Sequence, residues 1–255
     1  MNQSLWILTT ILFVMMWAVG GKRGIASFVS MVYIGLVFMG MLYMVSWGFH
    51  PIICGLIASG LITFILLFKL NGVHKKTIVS SIAAISAVIL TLLITYPMVF
   101  NAKLQGFSFE QFEALSSHSI YVDINLADIV FIEILIGLLG AIIDVSISIA
   151  SALNELHINH PELKFKSLFK SGMNIGRDIL GTMTHTLLFA YLGGFFSILI
   201  WFSVLEYPIT YTFNAKLFTA EIFQILCGGI GILLVIPMVT ALMSWRLTQS
   251  DRDRF

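Results

Sequence analysis

The chain has 255 residues and a formal net charge of +1; 58% of the residues are hydrophobic and only 11% are charged, where an ordinary soluble domain has roughly 25% charged residues. Its mean hydropathy of +0.98 excludes a soluble globular domain. The balanced charge excludes a basic field of the kind that attracts nucleic acid.

A hydrocarbon core of about 30 Å takes about 17–25 helical residues. Seven apolar stretches of suitable length predict spans over residues 4–20, 25–47, 51–68, 78–100, 126–153, 179–203 and 219–245. Barrel strands would show alternating runs of about 10 residues, and the sequence has none, so the expected fold is an all-α polytopic helix bundle in the lipid bilayer, a single domain over residues 1–255. The first span is read as a retained helix, because Lys22 and Arg23 follow its apolar run instead of preceding it as in a signal peptide. Cys54 and Cys227 fall inside apolar spans and read as small buried hydrophobes.

The loops set the orientation. With the N-terminus outside, the inner segments receive Lys22 and Arg23, then Lys69, Lys75 and Lys76, then Lys164, Lys166, Lys170 and Arg177, then Arg246, Arg252 and Arg254. Only Lys103 and Lys216 lie outside, so the positive-inside rule predicts an outer N-terminus and an inner C-terminus. The outer loop over 101–125 carries Glu110, Glu113 and Asp123 among phenylalanines, as a bundle cap or a surface loop would. The inner loop predicts an amphipathic helix over 161–173 on the membrane surface, opened by Pro161, with Phe165, Leu168, Phe169 and Met173 on one face. Trp6, Trp47, Tyr96, Trp201, Tyr207 and Tyr211 at outer ends, and Trp17 and Trp245 at inner ends, read as interfacial anchors.

The fifth span carries the strongest functional signal. Glu133, Gly137, Gly140, Asp144, Ser148, Ser151 and Glu155 recur at steps of three or four, which places all seven on one helical face. At 1.5 Å per residue, Glu133 and Glu155 stand about 33 Å apart, nearly the apolar thickness. A charged residue at the membrane centre costs about 2.5–3.5 kcal/mol on insertion scales, so Asp144 is expected to face protein or water. Two expectations stay open: the acids and hydroxyls line a path for a small solute or cation, or the glycines and serines pack against another helix.

The sixth span adds Asp178, Gly181, Thr182 and His185 on one face of its inner half. The seventh adds Glu221, Gln224, Gly228 and Gly231, with Glu221 read as a solvated end residue. Gly137, Gly140, Gly181, Gly228 and Gly231 are the candidates for close helix packing. No catalytic residues are assigned: Ser148 or Ser151 with His185 lacks a nucleophile elbow, and only Asp144 lies deep enough for an aspartyl pair. His157 and His160 have a spacing that a metal uses, without further ligands nearby, so a metal site stays unassigned. No cofactor motif and no Walker A pattern is present.

GLLGAIIDVSISIASALNEL and GRDILGTMTHTLLFAYLGG resemble the signature segments of the YibE/F family of multi-pass bacterial membrane proteins, and GGIGILLVIPMVTAL is similar to that family's last helix. The resemblance covers the chain from about the second span onward and is nearest the shorter, YibF-like member. It implies a permease-like protein of the bacterial cytoplasmic membrane, paired with a YibE-like partner; a second copy of the chain is the other expected partner. The expected function is a noncatalytic transport component; the alternative is a scaffold subunit whose polar face packs against that partner.

Overall fold

The computed structural model describes residues 2–101 and 126–252. The outer segment with Glu110, Glu113 and Asp123 lies outside the described residues. The described chain consists of helices α1 (Asn2–Ser46), α2 (Pro51–Phe64, continued by a π-helical turn Ile65–Lys69), α3 (Lys75–Asn101), α4 (Leu126–Asn159), α5 (Phe165–Val204), the short α6 (Ile209–Asn214) and α7 (Lys216–Arg252). All but α6 are long and apolar enough to cross a membrane.

α1 contains the first two predicted spans. The ring of Phe13 meets that of Phe28 at 5.0 Å, whereas a straight helix would separate them by about 22 Å. The helix therefore folds back on itself, and it does so at Gly21, whose φ of 53° and ψ of −133° only glycine adopts without strain. Gly24 lies so close to the Met16 carbonyl that a side chain there would enter it. Six long helices thus accommodate seven apolar legs.

A second difference concerns the inner loop. No separate helix covers 161–173; Pro161 lies in a turn, Lys164 stands at the N-cap position without a side-chain capping bond, and α5 runs unbroken from Phe165 to Val204. Its 40 residues extend about 60 Å, far beyond the hydrocarbon core. The basic segment is held upright because glycines bring it against α7. A Cβ at Gly172 would lie 2.6 Å from Thr240 Cγ2, and one at Gly176 would collide with Ile236. Sequence periodicity found the amphipathic face, and the neighbouring helix buries Leu168 of it fully and Phe169 and Met173 in part, while Phe165 stays exposed.

The helix ends sort by charge. Lys75, Trp245 and Arg246 border one cavity, and Phe165 borders another with Trp245 and Gln249, so the starts of α3 and α5 meet the end of α7. At the opposite end His50 Nε2 lies 4.0 Å from the Asp128 carboxylate, and Phe195 meets Phe218 at 5.7 Å. The helix ends that carry Lys75, Lys76, Lys164, Lys166 and Arg246 consequently gather at one end, called here the basic end.

α4 is the axis of the bundle. It packs on α2, α3, α5 and α7, and Ile134, Leu135, Leu138, Ile142, Ile143, Ile149 and Leu153 are fully buried. Two glycines of other helices allow its branched side chains this depth: Gly55 of α2 receives Ile132, and Gly231 of α7 receives Ile142, whose Cδ1 would be 2.7 Å from a Cβ there. Cys54 and Cys227 are free and buried.

Candidate functional site

An axial helix should be enclosed on every side, and α4 is enclosed on every side but one. Among residues 127–155 only Glu133, Asp144, Ser148 and Glu155 are exposed, and all four belong to the face predicted from spacing. Gly137, Gly140 and Ser151 of that face are half-buried. The residues on either side of the acids, Ile132 and Ile134, then Ile143 and Val145, are buried. The open sector is flanked by α2, which meets Ile132 at Gly55, and by α5, which meets Gly137 through Tyr191.

The end opposite the basic end has a structure that spacing on one helix does not show. Glu133 meets the side chain of Gln224 on α7, which is buried, and lies near enough to Glu221 for the two carboxylates to act on each other. The Tyr191 hydroxyl of α5 sits over Gly137 and feels both carboxylates. Glu221, expected as a solvated end residue, is instead half-buried within this group. The face Glu221, Gln224, Gly228 was legible by spacing; Tyr191 carried no signal in the sequence, since its role depends on where α5 crosses α4.

Asp144 stands at the middle of α4 without a side-chain hydrogen bond or ion pair among the described residues. α5 passes the same stretch in the opposite direction, fixed by Tyr191 at Gly137 and by Gly172 near Leu153. Between these two contacts fall Asp178, Gly181, Thr182 and His185, all exposed. The Thr182 hydroxyl donates to the Ile179 carbonyl of its own helix at 2.8 Å. The two polar faces therefore share a depth, and no side-chain hydrogen bond or ion pair joins them among the described residues.

The five glycines separate into two groups. Gly137, Gly228 and Gly231 are met by Tyr191, Leu187 and Ile142 respectively. Gly140 and Gly181 have nothing within 4 Å of a would-be Cβ, so the close packing expected there does not occur among the described residues. Both lie on exposed polar faces. At the basic end His160 Nδ1 contacts Glu162 Oε1 at 3.2 Å. No three His, Cys, Asp or Glu side chains gather to hold a metal among the described residues.

Residues 8–249 match the family described as YibE/F-like protein, nearly the whole length of the chain. No curated protein matches significantly, and no solved structure does. The chain belongs to the YibE/F-like family, and its fold is that of a membrane-spanning helical protein.

Proposed function

We propose that this YibE/F-like chain is a noncatalytic transport component of the cell membrane, with the polar face of α4 lining a path for a small solute or cation. One observation carries the proposal: the only exposed side chains of the axial helix between 127 and 155 are Glu133, Asp144, Ser148 and Glu155. Lipid does not tolerate a central carboxylate without a cost of about 2.5–3.5 kcal/mol, whereas water or a bound cation does. Asp144 binds the cation or proton at mid-membrane. Glu133, with Glu221 and Tyr191, forms one mouth, and Glu155 serves the basic end. Ser148 and Ser151 supply oxygen ligands or hold water, and Asp178, Thr182 and His185 line the facing helix.

A second function is supported by the open space at Gly140 and Gly181. Two glycines with nothing near them on exposed faces offer another helix a close approach, as a scaffold subunit would for a longer family member or a second copy. Single cysteines at Ser148 and Ser151, in a chain whose Cys54 and Cys227 are replaced by alanine, separate the two. Reaction with membrane-impermeant thiol reagents supports the path; protection that ends only when a co-expressed partner is removed supports the scaffold and sinks the path.

A further inference from the structure

The cavity bordered by Lys75, Trp245 and Arg246 is separate from the polar face of α4. It is a slot of about 270 Å³ between the start of α3 and the end of α7. α3 contributes Lys75, Ile78 and Ile82 to its walls, and α7 contributes Leu242, Trp245 and Arg246. Because α3 begins at the basic end and α7 finishes there, both walls are graded the same way. Each has its cation at the water side and its isoleucine or leucine deeper, with Ile82 about 10 Å below Lys75 at helical rise.

The slot opens sideways. Ile78, Ile82 and Trp245 are 44%, 54% and 56% exposed, so its apolar part faces the bilayer and not the bundle interior. Trp245, at the level of the cations, has the position of an interfacial aromatic. Lys75 and Arg246 are both exposed. Among the described residues Arg246 has no ion-pair partner, and no carboxylate lines the slot. The planar fork of Arg246 suits two oxygens of a phosphate, and Lys75 adds a compact positive charge across from it.

The grading selects the occupant. A free anion would meet the cations and leave the apolar walls without their dispersion contacts; a hydrocarbon chain alone would leave the guanidinium of Arg246 without an anion. An anionic phospholipid matches both halves in the right order, and basic pockets between spans hold such headgroups. We propose that the slot between α3 and α7 binds an anionic glycerophospholipid of the basic-end leaflet, with its phosphate at Arg246 and Lys75 and the upper part of one acyl chain along Ile78, Ile82 and Leu242. This site is independent of the path along α4, and either stands without the other.

The test uses the full chain, purified with an equimolar mixture of phosphatidylglycerol and phosphatidylcholine and read by native mass spectrometry after detergent exchange. The parent is expected to retain one phosphatidylglycerol. Ile82→Trp, on the exposed rim, fills the slot and is expected to retain none, whereas Ile85→Trp adds the same bulk on another face of α3 and is expected to behave as the parent. Arg246→Gln and Lys75→Gln are each expected to lose about fivefold in preference for phosphatidylglycerol, the effect of one interfacial cation. Lys166→Gln removes an exposed basic-end charge that does not line the slot and is expected to leave the preference unchanged. Equal retention by the parent and Ile82→Trp overturns the proposal, as does a loss in Lys166→Gln as large as that in Arg246→Gln, which would mean diffuse surface charge. Inorganic phosphate retained in place of phospholipid overturns it too. With Cys54 and Cys227 replaced by alanine, cross-linking of Ile78→Cys between two copies, abolished by Ile82→Trp, would place a second chain in the slot and likewise overturn it.

Discussion

The hydroxyl of Tyr191 on α5 occupies the space above Gly137 of α4 that any side chain at 137 would need. This contact sets where α5 crosses the axial helix and places a phenol beside Glu133 and Glu221. Gly137→Ala is expected to push the hydroxyl away, destabilising the fold by about 1–3 kcal/mol. Tyr191→Phe retains the ring and is expected to melt within about 0.5 kcal/mol of the parent while slowing cation or proton flux in proteoliposomes. A Tyr191→Phe variant with full flux would remove the phenol from the mouth.

Glycines that look alike in sequence should differ in tolerance. Gly176→Ala drives a methyl into branched Ile236 and is expected to cost about 1–3 kcal/mol. Gly181→Ala, five residues on in the same helix, meets nothing and is expected to be neutral or to stabilise by up to about 1 kcal/mol. Thermal unfolding in detergent compares them directly. If Gly181→Ala lowers the melting temperature as far as Gly176→Ala, its open face is covered in the purified protein.

The reversal of α1 at Gly21 gives a geometric prediction. With Cys54 and Cys227 replaced, cysteines at Phe13 and Phe28 are expected to cross-link within one chain, since the rings they replace are 5.0 Å apart. Gly21→Ala forces a side chain into a backbone region that costs about 1–3 kcal/mol and should reduce the yield. Absence of any cross-link in the two-cysteine variant that keeps Gly21 would mean that α1 is straight.

Thiol accessibility along α4 should follow its single open face. Cysteines at Ser148 and Ser151 are expected to react with impermeant reagents, and one at Ile149, which is fully buried, is not. Asp144→Asn keeps shape and removes the charge. Flux is expected to fall about tenfold, the equivalent of losing one interaction of ~1.4 kcal/mol, with the melting temperature retained. Normal flux in this variant would exclude Asp144 from the mechanism.

The sequence alone determined the class, the apolar stretches and the polar face, because each depends on a local quantity. Apolar run length is set by membrane thickness, and the steps from Glu133 to Glu155 follow from helical pitch. The cationic loops likewise predicted which helix ends meet. Tertiary structure decided what those faces meet. It opened the α4 face to the exterior while burying the residues around it, drew Tyr191, Glu221 and Gln224 to Glu133, left Gly140 and Gly181 unfilled, and raised the basic segment of α5 against α7. The physical reason is that a helix's periodicity fixes which residues share a side, whereas the contacts of that side depend on crossings between helices far apart in the chain.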